Sequence, residues 1–160
     1  HGPTAAFKDV GARSLARLMQ LALSASGATA TVLVATSGDT GSAVADAFAG
    51  LEGLQVALLY PDGGVSRVQE DQLTTARPGL RSFAVEGTFD DCQRMVKESF
   101  ADPQLAPLAL TSANSINVGR LLPQMIYYAH AMGILPAGTP PVVIVPSAWY
   151  CGSANTSLMS

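Results

Sequence analysis

A short turn of small and polar residues carries the first chemical signal in this sequence. Thr36-Ser37-Gly38-Asp39-Thr40-Gly41-Ser42 follows an apolar run at residues 31–35 and leads into a helical pattern at about 42–49. A turn between a strand and a helix aims backbone N–H groups, and the positive end of the helix dipole, at whatever lies above it. Ser37, Gly38, Asp39, Thr40, Gly41 and Ser42 therefore form a candidate cradle for a carboxylate or a phosphate. The same glycines would also serve a plain tight turn. The turn lacks the lysine and spacing of a P-loop and the full G-x-G-x-x-G of a dinucleotide fold, which counts against both nucleotide readings. Lys8, in the run His1-Gly2-Pro3-Thr4-Ala5-Ala6-Phe7-Lys8-Asp9, reads on its own as an exposed, solvated side chain.

The elements that must position these residues follow from the apolar pattern. Leu15, Leu18, Met19, Ala22 and Leu23 recur at helical spacing, and residues 24–27 supply a stop. Short apolar strands are expected at 31–35, 54–60 and 80–85, with helices at about 42–49, 66–75 and 89–100 between and after them. Thr88 followed three residues later by Asp91 marks the start of the last of these, as in a capping box. This alternation predicts an α/β fold with a parallel sheet built of β-α-β units. Leu121, Leu122, Met125, Ile126 and Ala129 predict a helix over 117–132 with a buried face, a bend at Pro123 and an end at Gly133. A Pro/Gly-rich link at 136–141 precedes a further strand at 142–145. Two units are thus expected: 1–135, the α/β domain with the lysine segment, and 136–160, a linker, strand and tail.

Composition narrows the function classes. The chain has 160 residues, 48% of them hydrophobic and 13% charged, which suits one compact α/β domain and not a disordered segment. A net charge of -3 with scattered arginines gives no footprint for nucleic acid. The apolar stretches at 121–135 and 142–145 are interrupted or too short to span a bilayer, so a soluble, cytoplasmic protein is expected. Cys92 and Cys151 stand far apart, with no C-x-x-C pair to suggest a metal or redox site. Asp39-Thr40-Gly41-Ser42 is similar to the active-site turn of aspartic proteases, but that mechanism needs two such carboxylates and the sequence has one copy in an α/β setting. Ser37 lies outside any G-x-S-x-G elbow, and His1 and His130 have no triad spacing.

Several ordered motifs together are more specific than any of these. The Lys8 segment resembles the H-G-P-T-x-A-F-K-D signature of threonine synthases, and Ala35-Thr36-Ser37-Gly38-Asp39-Thr40-Gly41-Ser42-Ala43 is similar to the same family's substrate-facing loop. Gln72-Leu73-Thr74-Thr75, Phe83-Ala84-Val85-Glu86-Gly87-Thr88-Phe89-Asp90-Asp91-Cys92-Gln93, Thr111-Ser112-Ala113-Asn114-Ser115-Ile116-Asn117 and Arg120-Leu121-Leu122-Pro123-Gln124 continue the match in order, so that it covers nearly all of residues 1–147.

The resemblance implies a fold-type-II enzyme using pyridoxal 5'-phosphate, with O-phosphohomoserine as small-molecule substrate and threonine and phosphate as products; it allows a homo-oligomer. It places Lys8 as the Schiff-base lysine and proton carrier. It places residues 37–42 on the substrate carboxylate and along one face of the cofactor, with Asp39 where related enzymes often carry Asn. Ser112, Asn114, Ser115, Asn117 and Arg120 become candidates for the substrate phosphate, although the asparagines and Arg120 would serve equally to cap and decorate a helix. The departure comes at the end. Where the family has a glycine-rich turn for the cofactor phosphate, this chain reads Ser147-Ala148-Trp149-Tyr150-Cys151-Gly152-Ser153, keeping only Gly152. The family also implies further segments on both sides, so the sequence reads as a truncated member. The competing expectations are a homologue without cofactor chemistry, acting as a hydrolase through Ser147, Cys151, Ser153 or Ser157 or as a binding module, and a fragment that folds without activity.

Overall fold

The computed structural model describes residues 2–114 and 117–136. A four-stranded sheet, all parallel, forms the centre: β1 (Ala30–Ala35), β2 (Leu54–Pro61), β3 (Leu80–Val85) and β4 (Leu110–Thr111), in the spatial order β3-β2-β1-β4. The three longer strands lie where the apolar runs predict them. β1 aligns Val32 with Val56 of β2 on one side and with Thr111 of β4 on the other. The α/β, parallel architecture expected from the sequence is the one observed.

Alternation along the strands gives the sheet two covered faces. Val32 and Val34, with Val56, Leu58 and Tyr60, join Leu15 and Ala16 of α1 (Asp9–Ser26), Val44, Ala45 and Phe48 of α2 (Asp39–Phe48) and Leu73 of α3 (Arg67–Thr74) in the main core. Leu33 and Leu59 point to the opposite face, where Cys92 and Val96 of α4 (Phe89–Ala101) meet them. The Thr88 capping box is formed: its hydroxyl accepts from the Asp91 N–H at 3.2 Å and the Asp91 carboxylate accepts from the Thr88 N–H at 2.8 Å. Those bonds and Arg94 hold the half-buried Asp91 carboxyl below the usual range.

Four local expectations need correction. α1 begins at Asp9, well before the apolar period, so Lys8 is its N-terminal cap residue. α2 begins at Asp39 and not near residue 42, which puts Asp39 and Thr40 in a first helical turn. The helix expected over 117–132 is two helices, α5 (Val118–Gln124) and α6 (Ile126–Ile134), divided at Met125; Pro123 lies inside α5 and Gly133 inside α6. Its apolar residues are not buried: Leu121, Leu122, Met125 and Ile126 are 46 to 61% exposed, and Ala129 is exposed. The physical reason is visible in α5, whose packed side against α1 is made by backbone and Arg120, leaving the leucines on the other side. A two-turn 3-10 helix at Pro103–Leu108 and the short β4 carried no apolar period and were not foreseen.

Compact clustering divides the chain into His1–Ile126, which holds the sheet, and Tyr127–Ser160. The strand expected at 142–145 lies outside the described residues. No described helix is long and apolar enough to cross a membrane.

Among the described residues, Phe48 is the largest side chain with no exposure at all. Phe48→Ala is expected to cost about 3–5 kcal/mol by cavity formation, read as a lowered urea midpoint. Leu21→Ala, at a position 69% exposed, should stay within about 0.5 kcal/mol of the parent.

Candidate active site

The order β3-β2-β1-β4 contains one reversal. From β1 the chain passes outward to β2 and β3 and then returns to the far side of β1 as β4. Loops leaving the carboxyl ends of β1 and β4 therefore diverge and leave a crevice between them, the place where open α/β sheets take their ligands. The β1 loop is residues 36–38 and opens α2; the β4 loop runs from Ser112 toward α5 and Arg120. The start of α1 brings Lys8 to the same place.

How Lys8 arrives there is decided by the residue after it. The buried Asp9 carboxylate turns back to accept from the Thr4 N–H at 3.0 Å and the Thr4 hydroxyl at 2.6 Å. The Ala5 N–H bonds the Gly2 carbonyl at 3.1 Å, and the Asp9 N–H bonds the Ala6 carbonyl at 3.1 Å. These ties fold the segment into tight turns before α1. Lys8 is 5% exposed, which overturns the solvated lysine that the isolated residue suggests. Its Nζ stands 3.8 Å from Asp39 Oδ2 and 4.5 Å from the centre of the Phe7 ring. Burial pushes its pKa down, opposed by the Asp39 charge and assisted by Arg120.

The β1–α2 turn is organised by a residue the sequence offered only as part of a motif. The buried Thr36 hydroxyl accepts from the Gly38 N–H at 3.0 Å and the Gly41 N–H at 2.8 Å, and lies 3.2 Å from the Gly38 carbonyl. Ser42 donates both its N–H and its hydroxyl to that carbonyl, at 3.1 and 3.3 Å. Three of the N–H groups foreseen as an anion cradle, those of Gly38, Gly41 and Ser42, are thus used internally. Those of Asp39 and Thr40, in the first turn of α2, have no partner within the helix. Gly38 has φ 138°, a conformation strained for any side chain. Ser37 and Asp39 are exposed; Gly38, Gly41 and Ser42 are buried.

Across the crevice, Arg120 is 2% exposed and donates from Nη1 to the Ala113 carbonyl at 2.6 Å. Its Nε is buried with no partner among the described residues, and burial lowers its pKa. An incompletely satisfied buried guanidinium calls for an anion. Asn117 caps α5: Oδ1 accepts from the Gly119 N–H at 2.9 Å and Nδ2 donates to the Ser112 carbonyl at 3.3 Å. Asn114 is exposed and Ser112 half-buried. Ser115 and Gly152 lie outside the described residues. The structure therefore brings together Lys8, Asp39 and Arg120, and it adds Thr36, Asp9 and Gln69 as their supports. The sequence signal for the first two was present, a threonine closing a strand and an Asp at a helix start, but it named no partner.

Burial lowers the pKa of Lys8 in the folded chain, so the folded state holds fewer protons than the unfolded one as pH rises toward the ordinary lysine value of 10.5. Stability contributed by this residue accordingly rises with pH through that window and is lost as pH falls. Lys8→Met should be stabilised relative to the parent near neutrality, with the gap narrowing toward pH 10.5, as followed by urea denaturation at several pH values.

Comparison with known proteins accords with this geometry. Residues 1–146 match the family described as pyridoxal-phosphate dependent enzyme. Threonine synthase of Buchnera aphidicola is 47% identical over 136 residues, 84% of this chain and 32% of the relative. That of Escherichia coli is 48% identical over 150 residues, 92% of this chain and 35% of the relative. Among solved structures, the pyridoxal-phosphate-bound threonine synthase of Brucella melitensis superposes with a TM-score of 0.77 at 45% identity, covering 82% of this chain and 29% of that one. Diaminopropionate ammonia lyase of E. coli, at 19% identity and a TM-score of 0.54, shares the fold. The chain spans about a third of the length of the curated relatives it matches. By fold and by sequence, this chain belongs to the pyridoxal-phosphate dependent enzyme family.

Proposed function

We propose that this chain is the lysine-bearing part of a threonine synthase-like lyase that takes O-phosphohomoserine and water to threonine and phosphate. The observation that carries the reading is the buried Lys8 amine, 3.8 Å from Asp39 at the sheet's crevice. A desolvated amine with a lowered pKa is neutral more often than a surface lysine, and only the neutral form attacks an aldehyde. The residues present therefore fit pyridoxal phosphate, with Lys8 as its attachment point and Asp39 alongside. When bound, that cofactor supplies the electron sink for bonds broken at the substrate carbons.

The chain's own groups account for the remainder. Lys8 would be the group that takes and returns protons at the substrate carbons, its amine being buried beside Asp39. The N–H groups of Asp39 and Thr40, with Ser37, would hold the substrate carboxylate, while Thr36 and the bonds of Ser42 to the Gly38 carbonyl keep that turn in shape from below. Arg120 takes the substrate phosphate through its unsatisfied edge, assisted by Ser112, Asn114 and Ser115; Asn117 contributes by fixing the start of α5 and the Ser112 carbonyl. A phosphate on one side and a carboxylate on the other orient the substrate between two fixed anion sites. The protein works as a soluble, cytoplasmic enzyme of small molecules.

Incubation with pyridoxal phosphate, borohydride reduction and peptide mapping should give an adduct at Lys8 that disappears in Lys8→Ala. Phosphate release from O-phosphohomoserine should fall at least about 100-fold in the same variant. A folded chain that forms no adduct, or forms it only at Lys97, would rule the reading out.

A further inference from the structure

Asp39 is the acidic neighbour of Lys8, yet its side chain is 59% exposed and sits on the first turn of a helix. An exposed carboxylate in such a place ordinarily samples several rotamers, and only some of them face the amine. Here one rotamer is held by a residue from a different helix. Gln69, at the third position of α3, donates from Nε2 to Asp39 Oδ1 at 2.8 Å, which leaves Oδ2 for Lys8 at 3.8 Å.

The direction of that amide is fixed by its other end. Gln69 Oε1 accepts from the Ser66 N–H at 3.2 Å and from the Ser66 hydroxyl at 3.0 Å, while the Ser66 hydroxyl accepts from the Gln69 N–H at 3.3 Å. A backbone N–H can only donate, so the oxygen must face Ser66 and the NH2 must face Asp39. The capping box that starts α3 thus also decides which way Gln69 points. A second observation concerns the seat. A β-carbon at Gly38 would fall 2.3 Å from Gln69 Nε2 and 2.4 Å from its amide carbon, so the amide lies directly against the turn, in space that a glycine leaves open.

We propose that Gln69 is a positioning residue for Lys8: by holding Asp39 Oδ1 it fixes the carboxylate whose other oxygen faces the amine, and so couples the start of α3 to the reactive group. The proposal rests on Lys8 being the reactive amine and deepens that reading. Other charges around Lys8 are accounted for. Arg120 of α5 acts on it through its field, and Asp9, on its own helix, is engaged by Thr4. Asp39 is the one opposing charge that acts on it, and an amide donor to a carboxylate is a strong enough bond to select its rotamer.

The test uses the full chain without cofactor. Lys8 and Lys97 are the only lysines, so lysine labelled with carbon-13 at Cε gives two signals whose pH titrations can be followed separately by NMR. Asp39→Asn should lower the Lys8 midpoint in the parent, because it removes the opposing charge. In the Gln69→Glu background most of that decrement should vanish. Glutamate can still accept from Ser66 and cap α3, but it repels Asp39 and releases it to solvent. Gln69→Met, which removes the amide without adding charge, should shrink the decrement in the same way and covers the case in which Gln69→Glu fails to fold. An equal decrement in the parent and both variants overturns the proposal and reduces Gln69 to a helix cap. Because no cofactor is present, failure of the adduct experiment with a shrunken decrement discards the enzymatic reading and leaves the Gln69 latch in place.

Discussion

The reversal of strand order between β1 and β4 is the constraint from which the site follows. Once β2 and β3 are laid down on one side of β1 and β4 on the other, the loops leaving β1 and β4 must separate. Helices on the main core face then bring their N-termini to the same edge. Lys8 at the start of α1, Asp39 at the start of α2 and Arg120 near the start of α5 arrive there from three distant parts of the sequence. Long-range convergence of this kind needs no loop of unusual length, only the sheet order.

Convergence would be useless if the groups were free to relax away from each other, and the structure spends its buried polar contacts preventing that. Asp9 ties down the turns before Lys8 through two bonds to Thr4. Thr36 takes the Gly38 and Gly41 N–H groups and closes the turn after β1. Asn117 caps α5 and holds the β4 loop by the Ser112 carbonyl. In each case a short polar side chain satisfies main-chain groups that would otherwise be orphaned at a helix start or a strand end. Lys8 and Arg120, the buried cations among the described residues, are the ones proposed to meet the ligand's aldehyde and anion.

How much of this could be read from sequence depends on whether the signal is local. The strands were legible because β1 and β2 are covered on both faces along most of their length and so appear as nearly continuous apolar runs, and the Thr88 start was legible because a capping box is contained within four residues. Family motifs brought Lys8, the β1 turn and Arg120 into view together. What stayed hidden was relational. Thr36 appears in the sequence as one more small residue, Gln69 as one polar position in an expected helix, and their roles exist only once α2 and α3 are side by side. The apolar period of residues 121–129 misled for the same reason: it shows that a face is hydrophobic and not that anything in the described residues covers it.

Gly11 sets a further condition on the crevice. A β-carbon there would lie 2.7 Å from the Arg120 carbonyl oxygen and 2.7 Å from Gln124 Nε2, so α1 and α5 meet main chain to main chain one turn from Lys8. The gauge between the amine and the guanidinium is therefore set in part by close backbone approach, with the Gln124 side chain as the adjustable neighbour. Enlarging residue 11 would act like a shim, widening the gap between the two helices as a whole while each end kept its own polar contacts.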